Sequence, residues 1–284
     1  MNNDLKGRVV LVTGSVQGIG LAIATALAQQ GARIALHGLA DADQIAEATR
    51  IILAAGADDV RFFEGDMRNP DAIEALISSV EDWGPLDILV NNAGIQRTVS
   101  LEELTRETWD AIIAVNLSGA LHTMRHALPH MARRGYGRVI NIASVHGLVA
   151  SKEKAPYVAA KFGLVGLSKV AALEYAAVGS AETGGVTVNC ICPGWTDTPL
   201  IEPQIMARAE KYGGDRTAGK ADLVAEKQPS SRTTDPSEVG ALAVWLCALI
   251  AHNVTGTSIP IDVDGPRNNR CLFCRAIRQF RLTL

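Results

Sequence analysis

Short runs rich in valine and isoleucine recur along the chain, each followed by a stretch whose apolar positions repeat at helical spacing. Residues 8–13 (RVVLVT), 33–37, 60–64, 86–91, 138–143, 186–192 and 258–262 read as strands. Residues 21–30, 43–55, 70–82, 108–133, 157–177 and 236–250 read as the helices between them. Strands that are apolar on both faces and alternate with helices pair in parallel and are covered on both sides. Right-handed crossovers then predict an α/β fold: a Rossmann-type doubly wound parallel sheet of about seven strands, with ligands outside the carboxyl ends of the strands. The alternation runs from residue 8 to residue 262, which predicts one catalytic domain over 1–265. Residues 198–228 interrupt it. That polar, helix-prone stretch reads either as a flap over the site or as a peripheral insertion.

Composition narrows the setting. The 284 residues are 48% hydrophobic and 20% charged, as in an ordinary globular protein. A chain of this length buries roughly 75% of its unfolded surface, so its core needs no metal or disulfide staple. The net charge of -3 gives no reason to expect nucleic acid or an acidic membrane as partner. The opening MNNDLKGR has no apolar stretch, and the longest apolar run, 241–251, is too short to span a bilayer, so a cytoplasmic protein is expected. Five cysteines, an odd number, argue against a disulfide framework. Cys190 and Cys192 read as core thiols on one face of a strand. Cys271-x-x-Cys274 lacks a second ligand pair, so no metal is expected.

The first strand runs through Thr13-Gly14-Ser15-Val16-Gln17-Gly18-Ile19-Gly20 directly into a helix. Glycines let the backbone approach a pyrophosphate closely, and the helix N-terminus offers free N–H groups and positive partial charge. The spacing Gly-x-x-x-Gly-x-Gly differs from the tighter Gly-x-Gly-x-x-Gly. Alone it could be a plain turn; after the first strand of an α/β pattern it reads as a dinucleotide loop. Strand two ends in His37-Gly38-Leu39-Ala40-Asp41, with no Arg or Lys for a 2′-phosphate. That favours NAD over NADP, although the expected ribose-binding acid is not cleanly placed either. Asp66, after strand three, could receive an adenine amino group or be a plain turn aspartate. Asn91-Asn92-Ala93-Gly94 closes strand four with small residues where a cofactor would lie against backbone.

Tyr157-Val158-Ala159-Ala160-Lys161 opens a helix just after Pro156, and its i and i+4 side chains share a face. A free phenol has a pKa near ~10, and lowering it by roughly 3 units needs about 4 kcal/mol of preferential phenolate stabilisation. A lysine and a cationic nicotinamide in a dry pocket could supply that. Tyr-x-x-x-Lys alone is common on surface helices. Ser144, at the end of strand five, strengthens the reading, since its hydroxyl could hold the substrate oxygen while Tyr157 moves the proton. Asn116, a mildly poor helix former inside 108–133, reads either as the holder of a water linking Lys161 to solvent or as an ordinary helix residue.

With these motifs in this order, the chain resembles the short-chain dehydrogenase/reductase family from Leu5 to about Gly265, through Thr13–Gly20, Asp66, Asn91–Gly94, Asn116, Ser144, Tyr157, Lys161, Pro193-Gly194 and Thr198. The resemblance implies a catalytic group of Asn116, Ser144, Tyr157 and Lys161, and a homotetramer. It implies an NAD site formed by Gly14, Ser15, Gln17, Gly18, Ile19, Gly20, Leu39, Asp66, Met67, Asn92, Ala93, Gly94, Tyr157, Lys161, Pro193, Gly194, Thr196 and Thr198. Within the family, 141–151, Cys192-Pro193-Gly194-Trp195 and 226–230 are similar to members that interconvert a four-carbon D-3-hydroxy acid and its keto acid. In those members the substrate carboxylate is held by a group matching Gln96, His146, Lys154 and Gln204, with Trp195 shaping the pocket beside Ser144 and Tyr157. One cation and several donors suit a small anion, because charge-assisted hydrogen bonds are the stronger kind. Each of these residues also has an ordinary surface, loop or core reading. A reductase of another ketone, such as a 3-oxoacyl thioester or sugar, and a non-catalytic redox sensor remain open.

The family ends soon after a Val-Asp-Gly-Gly-Trp run. Here Val263-Asp264-Gly265 is followed by Pro266 and an atypical tail to Leu284 that carries five arginines and two cysteines. That puts pocket closure and tetramer packing in question. Residues 178–185 look longer than the family's usual turn and read as a tolerated surface loop.

Overall fold

The computed structural model describes residues 5–180, 182–225 and 232–262. In its first half, β1 (Val9–Val12), α1 (Gly18–Ala28), β2 (Arg33–His37), α2 (Ala42–Ala55), β3 (Asp59–Phe63), α3 (Pro70–Trp83) and β4 (Leu86–Asn91) alternate without a break. The second half holds α4 (Arg106–Ile113), α5 (Gly119–Arg134), β5 (Tyr136–Ile142), α6 (Ala155–Glu174), β6 (Gly185–Pro193), α7 (Glu202–Ala209), α8 (Arg216–Ala225), α9 (Pro236–Cys247) and β7 (Ser258–Ile261). The seven strands form one parallel sheet in the order β3-β2-β1-β4-β5-β6-β7. The order reverses between β1 and β4, and a crevice opens there at the carboxyl ends of the strands.

Strand periodicity explains the two-sided core. In β1, Val10 and Val12 point into one apolar cluster with Ile23, Leu27, Val239 and Leu246, under α1 and α9. Val9 and Leu11 point the opposite way, against Leu76, Val80, Met124 and Leu128 of α3 and α5. Local signals set several helix ends. Asp41 and Gln44 close a capping box on α2, Asp235 and Glu238 close another on α9, and Gly56 ends α2 in the left-handed region. By length and composition α6 is apolar enough to cross a membrane, but half of it is buried inside the fold, as a core helix is.

Several stretches differ from, or add to, the sequence pattern. The helix expected over 108–133 is two, α4 and α5, separated by a wider π turn at Ala114–Ser118 that carries Asn116. The first helix begins at Gly18, inside the glycine loop. Within the apolar run 241–251 the α-helix stops at Cys247: Ala248 is extended, and a single 3-10 turn over Leu249–Ala251 leaves Leu249 and Ile250 exposed. The 178–185 loop is close-packed at its base, because the buried Arg138 guanidinium donates to the carbonyls of Gly184 and Gly185. In place of a strand–helix unit, residues 202–225 form the α7–α8 hairpin, joined to the body through Trp195, Ile201, Ile205 and Leu223. Residues 226–230 and 263–284, with Cys271, Cys274 and the altered terminus, lie outside the described residues.

Candidate active site

The glycine loop is shaped by close approach. Gly14 and Gly18 have φ of 65° and 57°, in the region glycine alone adopts readily. A Cβ on Gly20 would land on the Gly14 carbonyl and 2.5 Å from Asn92 Nδ2. Asn92 staples this loop to the end of β4, donating from Nδ2 to the carbonyls of Thr13 and Gly14 at 2.9 Å each. In return, Thr13 Oγ1 accepts from the backbone of Asn92 and Ala93 at 3.0 Å. No side chain caps α1, so its first N–H groups face the cleft. The cleft, about 1510 Å³ counting its open mouth, is lined by Gly14, Gln17, Gly18, Ile19, Leu39, Asp66, Met67, Asn92, Ala93, Gly94 and Thr198. A cradle of glycines facing an uncapped helix end fits a dinucleotide pyrophosphate.

Two cofactor-site expectations fall differently. Ser15 is fully buried, and its hydroxyl bonds the backbone N–H and carbonyl of His37, so it braces β1 against β2 rather than lining the cleft. Gly20 likewise acts from beneath, by leaving room for Gly14 and Asn92. His37, passed over in the sequence as a strand residue, is buried at the end of β2. Its Nδ1 accepts from Gly14 N–H at 3.3 Å, and its Nε2 bonds the Gly65 carbonyl at 2.8 Å. Burial lowers its pKa, which keeps the ring neutral in that bridge. The end of the cleft beside β2 and β3 does hold a cation. Arg68 lines it, but bonds Asp66 bidentately at 2.7 to 3.1 Å and holds that carboxyl below the ordinary range. The Arg was legible two positions after Asp66; the pairing was not.

A second cavity of about 860 Å³ adjoins the first and shares Ile19, Asn92, Gly94, Thr198 and Leu200 with it. Gln96, Ser144, His146, Lys154, Tyr157, Lys161, Pro193, Gly194, Trp195, Thr196 and Thr198 all line it. Ser144 leaves β5 into a tight turn, where its Oγ accepts from His146 N–H at 3.1 Å. Gly147 lets that turn abut α6, since a Cβ there would lie 2.8 Å from the Lys161 carbonyl. Tyr157 and Lys161 are both buried on α6, one turn apart, and the ammonium lies 5.6 Å from the phenol ring centre. Lys161 Nζ donates to the Ile142 carbonyl at 2.7 Å. Burial pushes the phenol up to about 12, against a downward pull from the Ser144 hydroxyl, and pushes Lys161 down to about 8. In the protein alone, burial thus outweighs the groups that would lower the tyrosine.

His146 meets the Tyr157 ring edge-on at 6.4 Å between centres, and Lys154 Nζ sits 4.6 Å from the centre of the Trp195 ring. Among the described residues, Asp262 is the only carboxylate lining this cavity, against the amines of Lys154 and Lys161. Gln204 is not brought in. On α7 it stands one position from Ile205, which turns inward with Ile201, and it lines neither cavity. Asn116 lies beside the site, but both ends of its amide serve the Ile95 backbone, at 2.8 and 2.9 Å. Beneath the site runs a buried polar chain that the sequence did not disclose. Thr123 donates to Asn91, Asn91 to Asn141, Asn141 to Ser168, and Cys190 to the same Ser168 oxygen.

A glycine loop at the sheet's switch point, opening into a cavity with a Ser, a Tyr and a Lys, defines a dinucleotide-dependent oxidoreductase. The model of the short chain dehydrogenase family matches residues 8–208, and the chain belongs to that family. It is 50% identical over 259 residues to a D-beta-hydroxybutyrate dehydrogenase of Cupriavidus necator, covering 91% of this chain and 97% of that one. It is 43% identical over 256 residues to a D-beta-hydroxybutyrate dehydrogenase of Rhizobium meliloti, covering 90% and 97%. Among solved structures, levodione reductase superposes with a TM-score of 0.83 at 28% identity, over 93% of this chain and 99% of that one.

Proposed function

We propose that the chain interconverts D-3-hydroxybutyrate and acetoacetate with NAD. The observation that carries the reading is the single small cavity in which Ser144, Tyr157, His146, Lys154 and Lys161 converge. Its two buried amines suit a short carboxylate, and the two relatives above bear the corresponding name. Lys154, with Gln96 and His146, holds the substrate carboxylate, and Trp195 walls its carbon chain. Ser144 holds the substrate oxygen by hydrogen bond. In oxidation the ionised phenol of Tyr157 takes the hydroxyl proton, and the protonated Lys161 stabilises that phenolate. Gly14, Gln17, Gly18, Ile19 and Asn92 would hold NAD, which would supply the hydride acceptor and a positive charge favouring the phenolate.

Among the described residues Arg68 is the one cation lining the end of the cleft beside β2 and β3, and its engagement by Asp66 supports NAD over NADP. A homotetramer is supported by Trp109 of α4, Leu121 of α5, and Phe162, Val170 and Leu173 of α6, large apolar side chains left exposed on neighbouring helices. The test is NADH formation from D-3-hydroxybutyrate, with the L-enantiomer and NADP as controls. Tyr157→Phe is expected to lower kcat by about 100- to 10,000-fold, the usual share of acid–base catalysis. Near-normal turnover in that variant would overturn the assigned role.

A further inference from the structure

We propose that Asp197 is a positioning residue that latches the α7–α8 hairpin over the substrate cavity by charge. The inference builds on the proposed function, but the latch itself is read from the protein alone. Asp197 stands between Thr196 and Thr198, both of which line the cavity, and its own side chain turns to α8. One carboxylate oxygen accepts from Lys220 Nζ at 2.5 Å and the other from Arg216 Nη2 at 3.2 Å. The Arg216 guanidinium also grips Glu202, the first residue of α7, through Nε at 2.8 Å and Nη2 at 2.7 Å. Two carboxylates and two cations thus join the strand-end connection, the start of α7 and the first two turns of α8.

The geometry gives this network leverage. An isolated exposed ion pair contributes little, but a bidentate arginine within a shared network holds its partners more firmly. Both carboxyls are held below their ordinary range by these cations, Asp197 first by Lys220 and Glu202 first by Arg216. The apolar attachment of the hairpin is small: Ile201, Ile205 and Leu223 around Trp195. Trp195 is also the wall against which the Lys154 ammonium rests. When Asp197 lets go of α8, Leu223 moves, Trp195 loses its backing, and the carboxylate end of the cavity loosens. Most of the dinucleotide cleft is lined by other elements, the glycine loop and the ends of β2, β3 and β4, with only Thr198, Pro199 and Leu200 drawn from this connection.

The experiment compares wild type with Asp197→Asn and Asp197→Glu, by steady-state kinetics and by hydrogen exchange of the α8 amides. Removing the charge is expected to raise KM for D-3-hydroxybutyrate by about 5-fold, leaving kcat within about 2-fold, with α8 exchanging about 5-fold faster. Asp197→Glu keeps the charge and recovers most of the protection. Raising NaCl from about 20 to about 500 mM moves wild type toward Asp197→Asn and affects that variant less, because the variant keeps the Arg216–Glu202 pair but has lost both ionic contacts to Asp197. Exchange in α8 that is the same for wild type and Asp197→Asn at both salt concentrations would overturn the latch. Wild type that turns over no D-3-hydroxybutyrate would overturn the substrate assignment, and the exchange data would still decide the latch.

Discussion

Replacing Ser168 with alanine tests whether the buried polar chain holds the catalytic helix to the sheet. Ser168 Oγ accepts from Asn141 Nδ2 at 2.7 Å and from the Cys190 thiol at 3.0 Å, while donating to Leu164 O at 2.6 Å. Asn141 is fully buried, and its remaining neighbour in reach of that amide is Met124 Sδ at 3.5 Å, a weak acceptor. Ser168→Ala therefore strands an amide donor without water, which costs about 1–3 kcal/mol; the thiol adds little. For a chain of this size about 2 kcal/mol lowers Tm by roughly 4–8 °C. Urea unfolding at fixed protein concentration measures it, in a cycle with Asn141→Ala. The double variant should lose clearly less than the sum of the singles, because the same hydrogen bond is removed once. The reasoning fails if Ser168→Ala unfolds within about 0.5 kcal/mol of wild type, the ordinary range of surface changes, or if the cycle is additive.

Other outcomes follow from the same structure. Gly20→Ala should abolish NADH binding in a fluorescence titration while circular dichroism stays unchanged, since its Cβ would displace the Gly14 carbonyl and Asn92. Asp66→Asn should free Arg68 and raise the NADP-to-NAD ratio of kcat/KM by about 10-fold, the scale of a charge-assisted contact; an unchanged ratio would remove Arg68 from cofactor choice. Alkaline stability has a defined sign. Burial raises Cys192, Cys247 and Tyr157 to about 12, so the folded chain keeps protons that the unfolded chain loses, and stability falls as pH rises from about 9. Lys161, lowered to about 8, acts oppositely between pH 8 and its ordinary value near 10.5. Thermal melts should show Lys161→Met losing a gain in stability between pH 8 and 9 and keeping the fall above it.

The order of elements was legible because it rests on local periodicity. Val9 to Val12 alternate between two cores, and any sheet with helices on both faces imposes that pattern on its sequence. The glycine loop and the Tyr157–Lys161 spacing were legible for a related reason, since each function sits within one strand–helix junction or one helical turn. Other features depended on partners distant in sequence. Ser15 and His37 brace each other across 22 residues, and Asp197 reaches 23 residues ahead to Lys220. Asn116 shares a turn with the helix pattern, yet its amide is spent on Ile95, 21 residues back. Gln204 fell outside the cavity because the helix phase is set by Ile201 and Ile205 seeking burial, not by the glutamine. The chain alone determined which side chains and backbone turns were available, through periodicity and the steric needs of glycine. The tertiary structure alone decided which polar groups were left facing the cavity, because in a packed interior each donor is taken by whichever acceptor the fold brings within about 3 Å.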